Sequence, residues 1–177
     1  LGLHLFSGGI AGLARTADEF NNYQSRIALV SKSNQEASRT FRQLMTVAND
    51  TGQLFGATAE LYTRVYRAMG DRANSQELLQ FTKTINQSMV VSGANAQEAS
   101  AAIIQLSQGM ASGTLRGEEF NSVAEQAPVI LEMLQKSLGK TRGELRKMAE
   151  DGELTTEVVL RAVRESCLLY TSPSPRD

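Results

Sequence analysis

The chain has no tryptophan, one histidine (His4) and one cysteine (Cys167) among its 177 residues. A single histidine and a single thiol cannot build a histidine- or cysteine-based metal site, and no disulfide can close within the chain. An excess of either charge is also missing. Eighteen basic and 19 acidic residues give a formal net charge of −1 and are spread along the whole length. There is therefore no electrostatic footprint for nucleic acid or an anionic membrane. No apolar run reaches the roughly 18 residues that a membrane-spanning helix needs. The longest candidate, "LGLHLFSGGIAGL", is short and glycine-rich. It has no basic residue ahead of it and no clear cleavage site behind it, so it is a poor secretory signal. Period-two alternation is absent, and no Asn-Gly or Asp-Gly turn separates two β-branched runs, which argues against strands.

Proline is scarce too, and two of the three, Pro173 and Pro175, share the last eleven residues, "CLLYTSPSPRD", with the lone cysteine. That string reads as one frame of a transposase sequencing adapter, so residues 167–177 are set apart from fold reasoning as an adapter-derived tail. Cys167 then drops out as a candidate nucleophile. The first residue is leucine, and residues 1–16 read as the truncated start of a longer protein. Residues 17–166 remain as the domain proper.

What is present is helical periodicity. Ile10, Leu13, Ala17, Phe20 and Ile27 lie three or four apart, with Gln24 in the skipped slot, a heptad-like stripe. "SNQE" at 33–36 has the form of a capping box and predicts a helix start. That helix carries Ala37, Phe41, Leu44 and Ala48 on one face and should stop at Thr51-Gly52. A third helix is expected over about 57–69, with Leu61, Val65 and Met69 beside Tyr62 and Tyr66, closed by Gly70. Ser75 is the expected cap of a fourth helix, striped by Leu78, Leu79, Thr82, Ile85 and Met89 and ended by Gly93. "NAQE" at 95–98 repeats the capping box ahead of Ala99, Ala102, Ile103 and Leu106. Short helices should follow over about 115–126, 128–138 and 142–150, the last opened by the box "TRGE". A longer one should run from 156 to 166 behind a Thr155 cap. The fold expected is an all-α, compact array of about eight helices, with long helices in the first 110 residues and short helices with tight glycine turns after them.

One stretch breaks the pattern: "QGMASGTLRGEEFNSVAEQAPVI", residues 108–130. Gly109 and Gly113 bracket a helix end, and Thr114 can cap the next helix. Glu118 and Glu119 fall at that helix's positive end, and Pro128 suits the first turn of the one after. Local physics makes this two sharp corners around a short helix, and nothing more.

From Ala17 to Arg164 the chain resembles the N-terminal domain of phage and prophage tail tape measure proteins. The resemblance is carried by "DEFNNYQSRIALVS", "LFGATAELYTRVYRAMG", "ELLQFTKTINQSMVVSGANAQEASAAIIQLSQGMASGTLRGEEFNSVAEQAPVI" and "SLGKTRGELRKMAEDGELTTEVVLRAV", in that order. The run from Ser92 to Pro128 is its most specific part. The motif positions are Gly109, Gly113, Gly117, Glu118, Glu119, Pro128, Gly139, Gly143, Glu144, Leu145 and Gly152. The resemblance implies a structural protein that sets tail length during tube assembly and leaves through the tube when DNA is ejected. It implies a place in the tail tube lumen of the virion, after assembly in the host cytoplasm. The implied partners are tail tube and tail tip proteins, tail assembly chaperones and other copies of the chain. No cofactor, metal, catalytic residue or small-molecule substrate is implied, and membrane contact belongs to parts of the full protein outside this chain.

Competing readings attach to particular residues. Ile10, Leu13, Phe20 and Ile27 either zip against another helix, including one from a second copy, or pack within the monomer; spacing alone leaves both open. Gly8 and Gly12 have the spacing of close-packed membrane helices but read as a flexible helix start. Glu118, Glu119 and Glu125 could serve as paired carboxylates in a small helical enzyme such as a cell-wall hydrolase. They lack an aromatic sugar platform and read as helix-end and surface charges. "GELRKMAEDGEL" at 143–154 suggests a DNA-contacting helix-turn-helix, with Arg142, Arg146, Lys147, Arg161 and Arg164 toward phosphate. Glu144, Glu150, Asp151, Glu153 and Glu157 are interleaved with them and favour a solvated face.

Overall fold

Side-chain caps and glycine stops divide this chain, and the computed structural model shows where each one acts. It describes residues 17–171, with side chains through residue 166. The helices are α1 (17–28), α2 (Asn34–Thr51), α3 (Phe55–Met69), α4 (Ser75–Val91), α5 (Ala96–Ser112), α6 (Gly117–Gln126), α7 (Pro128–Leu138), α8 (Arg142–Glu150) and α9 (Thr156–Thr171). A 3-10 turn lies at Gly70–Arg72. The all-α expectation holds, and among the described residues the sole extended pairing is an isolated antiparallel bridge between Thr114 and Thr155.

The capping boxes at Asn95–Glu98 and Thr141–Glu144 form as read, each pairing side chain and backbone in both directions. Thr155 accepts a bond from the Val158 N–H at 3.3 Å, as expected of a cap. At α2 the Ser33 hydroxyl accepts from the Glu36 N–H, but the Glu36 carboxylate reaches one residue further back, to the Lys32 N–H at 2.7 Å. Two expected caps are displaced. Asn74, not Ser75, caps α4, because its amide oxygen accepts from both Gln76 and Glu77 N–H groups. Ser75 instead donates to Glu36 Oε1 at 2.5 Å, joining α4 to α2. Thr114 does not cap α6 either: the cap position is Arg116, without a side-chain bond, and α6 starts only at Gly117.

α4 is the central helix and packs against α2, α3, α5, α7 and α9. Its Leu78, Leu79, Thr82, Ile85 and Met89 are buried, as the stripe required, and Phe81 is buried beside them. Between them Asn86 is fully buried, and its amide donates to Thr58 Oγ1 at 2.8 Å and Thr51 Oγ1 at 3.3 Å. Through its Nδ2 that amide ties α4 to both α3 and the end of α2, while its buried Oδ1 has no hydrogen-bond partner among the described residues. α3 lies on α5, where Ala99 and Ala102 keep the surface low and Ile103 and Leu106 fill it, all four fully buried. α9 closes over α7, α4 and α3 with Val159, Ala162 and Val163 inside.

α1 is attached through aromatic rings. Phe20 stacks on Phe55 at 5.6 Å and tilts against Phe41 at 6.1 Å, and Tyr23 meets Phe55 edge-on at 5.5 Å. Gly56 makes room for this, because a Cβ there would collide with the Tyr23 hydroxyl. Further along, Ile27 is fully buried in the common core.

The Glu36 carboxyl is held below its ordinary value chiefly by the Ser75 hydroxyl, then by the Lys32 N–H, against a smaller opposing effect of burial. A carboxyl with a depressed folded value adds stability above the unfolded value and loses it as pH falls through the folded one. Replacing Glu36 by Gln should therefore lower the melting temperature at neutral pH by a few degrees. The gap to the parent should narrow as pH drops below about 4.5, measured by thermal melts across pH; a gap independent of pH would contradict the role given to this carboxylate.

Candidate functional site

The stretch that stood out in the sequence is paired with a second corner far along the chain. After α5 the backbone turns at Gly113, whose φ of +92° suits a residue without a Cβ. The following segment then meets the α8–α9 turn. Leu115 N–H donates to the Leu154 carbonyl at 2.8 Å, and Thr156 N–H donates to the Gly113 carbonyl at 3.0 Å. The Thr156 hydroxyl donates to the Met110 carbonyl at 2.7 Å, a second bond to an oxygen that already accepts the Gly113 N–H at 3.2 Å. Leu115 and Leu154 are both fully buried beneath this exchange.

Gly109 lies inside α5, one turn before the corner. A Cβ there would sit 2.7 Å from Leu115 Cδ1 and 3.3 Å from Leu115 Cα, so its reason is close packing and not helix termination. Gly152, with φ of +74°, lies under the Arg116 guanidinium; a Cβ would fall 2.6 Å from Arg116 Nη2. Arg116 Nε donates to Thr114 Oγ1 at 2.8 Å, which holds the side chain across the corner. Gly117 opens α6, Pro128 opens α7 and Gly139 ends it. Glu118 and Glu119 occupy the first turn of α6, where its N–H groups point. Glu144 is fixed in its capping box, and the Thr141 backbone N–H, then its hydroxyl, lower its carboxyl below the ordinary value. Leu145 is fully buried, whereas Gly143 is an ordinary helical position with open space around it.

Of the stripe residues, Ile10 and Leu13 lie outside the described residues. Phe20 and Ile27 are placed on the monomer's own helices, Phe20 still 37% exposed and Ile27 fully buried.

The carboxylates do not converge. Glu125 sits at the far end of α6 from Glu118 and Glu119, beside a depression of about 660 Å³ shared with Glu98, Ser92 and Gln126. Glu98 is already bound to the Asn95 N–H at 3.0 Å, and no aromatic ring lines the depression. Among the described residues no group of three or more His, Cys, Asp or Glu side chains is placed to hold a metal. Two of the five cations offered to phosphate are engaged inside the fold. Arg146 donates to Asn121 Oδ1 at 3.2 Å, and Arg164 pairs with Glu77 at 2.9 Å. No described helix is long and apolar enough to cross a membrane.

The clasp between Gly113–Leu115 and Leu154–Thr156 could not be found from local pattern, because its partners are some forty residues apart and bond through backbone atoms. Arg116 over Gly152 has no local signal either, because Gly152 is already accounted for as the positive-φ glycine that stops α8, with the Glu153 N–H donating to the Met148 carbonyl.

Comparison with known proteins decides what this assembly belongs to. Residues 11–167 match the family described as tape measure protein. The chain belongs to that family. No curated protein and no solved structure matches it. Membership places this tape measure chain among the structural components of phage tails.

The two glycines give a contrast test. Gly109→Ala should cost about 1 kcal/mol net, since over-packing of about 1–3 kcal/mol outweighs a helix-propensity gain of about 1. Gly143→Ala should stabilise by about 0.5–1 kcal/mol. Urea denaturation of both variants checks the pair; equal shifts would remove the packing role of Gly109.

Proposed function

We propose that this chain is the N-terminal module of a tail tape measure protein, a compact end-piece of the molecule that sets tail length during tube assembly and is released at DNA ejection. The observation that carries the reading is the family match over residues 11–167 on a chain folded into short, mutually packed helices. A ruler works by length. An α-helix advances about 1.5 Å per residue, so several hundred residues can template a tube on the order of a thousand ångströms. Even as one straight helix this whole chain would reach only about 265 Å, and its corners fold it back on itself. The measuring part is therefore placed elsewhere in the full protein, and this module serves contact. Tail tube and tail tip proteins, assembly chaperones and other copies of the chain are its partners, in the host cytoplasm and then in the tube lumen.

The module proper is residues 17–166. Residues 1–16 belong to the start of the longer protein, and residues 167–177 derive from a sequencing adapter. Reassembly of the source DNA through both ends tests that division. A role as a wall hydrolase would be restored by clearing of peptidoglycan in a zymogram. A DNA-contacting role would be restored by a gel shift that weakens steeply with salt.

The decisive experiment is genetic, in the intact phage, with tail lengths read by electron microscopy. Removing about 60 residues of the downstream helical part should shorten tails by about 90 Å. Removing residues 17–166 should block tail formation without yielding a shorter class. Tails shortened by about 225 Å on that second deletion would mean that this segment is ruler and not end-piece.

A further inference from the structure

α4 is covered on every side but one. Gln76, Gln80, Lys83, Gln87 and Val91 recur three or four residues apart along that side, and a matching face of α2 carries Arg39, Arg42, Thr46 and Asp50. Two depressions of about 360 and 640 Å³ lie between these faces. They share Val47, Asp50, Gln80 and Lys83, so they form one groove, closed at its far end by Val129, Glu132 and Met133 of α7. From Gln76 to Val91 it runs about 22 Å, the length of four turns of helix.

The two ends differ in chemistry. Arg39 and Arg42 lie at one end, Lys83 and Asp50 line the middle that both depressions share, and Glu132 lies at the other end; neither arginine takes part in the ion pairs found among the described residues. The Gln43 Oε1 lining the arginine end is buried without a hydrogen-bond partner. At the other end Val90 and Val91 are 53% and 73% exposed, the largest pair of adjacent uncovered aliphatic side chains on the described surface. The adjacent valines leave aliphatic surface in water that a partner's apolar side chains would cover, and the two arginines at the opposite end favour a partner with carboxylates there.

We propose that this groove receives an amphipathic helix from another protein, one carrying aliphatic residues at helical spacing and carboxylates at the end that meets Arg39 and Arg42. Helix-in-groove docking of this kind is read by apolar anchors three, four and seven apart, with charge setting direction. A partner protein is favoured over a second copy because the other large exposed apolar side chains among the described residues, Phe20, Leu29 and Leu54, do not recur at three- or four-residue spacing along one helix. The inference does not depend on how tail length is measured.

The probe is a fluorescein-labelled synthetic peptide of about 18 residues, helical in design, with leucines three and four apart and glutamates clustered at one end. A control peptide has lysine in place of each glutamate. The full chain should bind the acidic peptide saturably by anisotropy and the basic one at least about tenfold more weakly. Arg39→Glu with Arg42→Glu should invert that preference. Val90→Ser with Val91→Ser should weaken both peptides, with thermal melts confirming that the variants, all at exposed positions, stay folded. No binding, equal binding of the two peptides, or indifference to both double variants would overturn the proposal. So would a concentration-dependent doubling of mass in light scattering that Val91→Lys abolishes, because the occupant would then be a second copy.

Discussion

The backbone exchange between Gly113–Leu115 and Leu154–Thr156 is the constraint on which the final packing rests. Both segments are turns, and both are buried at their leucines, so their N–H and carbonyl groups cannot rely on water. Pairing the two turns with each other satisfies these groups without a sheet. It also sets the starting point of α9. Since α9 packs on α7, α4, α3 and α5, a shift of its first residue would misplace Val159, Ala162 and Val163 together. Close-packed interiors do not absorb such a shift gradually. The small residues around the clasp follow from this geometry: Gly109 lets Leu115 descend onto α5, and Gly152 leaves space for Arg116 to lie across the top.

How much of this could be read beforehand depended on the distance over which each feature is specified. Capping boxes span four residues and carry both halves of their own bonding, so Asn95–Glu98 and Thr141–Glu144 were legible. Pro128 was legible because its ring fixes the backbone that opens a helix. Ser75 and Thr114 misled for the converse reason. Each is a good cap by type, but Asn74 competes next door for the first, and the second is drawn into a bridge with Thr155. Neither competitor's success could be judged without knowing what Glu36 and Leu154 were doing elsewhere. The groove between α2 and α4 was invisible for a similar reason: Arg39, Arg42 and Lys83 look like solvated charges until two helices place them on one side.

Polar groups inside the core do similar registering work. Asn86 bonds to threonines on two other helices, whereas an aliphatic side chain of its size would pack without choosing a register. Such an amide contributes little net stability, because hydrogen bonds to water are lost in making those to protein. What it contributes is uniqueness, since sliding α4 by one turn would break both bonds of its Nδ2. Ser75 on Glu36 and Ser166 on the Met133 carbonyl tie other helix pairs in the same way.

On the proposal that this module is the end-piece of a measuring protein, register of this kind bears on what it must do. A helix measures length only between two defined ends; if either end slides along its support, the rise per residue still holds but the zero is lost. A fluid bundle of apolar helices would give such a slipping end. A body whose helices are locked by a backbone clasp, a buried amide and close contacts at glycines presents one surface in one shape. The groove along α4 is part of that surface, flanked by the same Asn86-bearing helix whose register the core fixes. Under that proposal the rigidity of the module and the accuracy of the measurement are one requirement, and packing and hydrogen bonds, not length, are what the fold offers toward it.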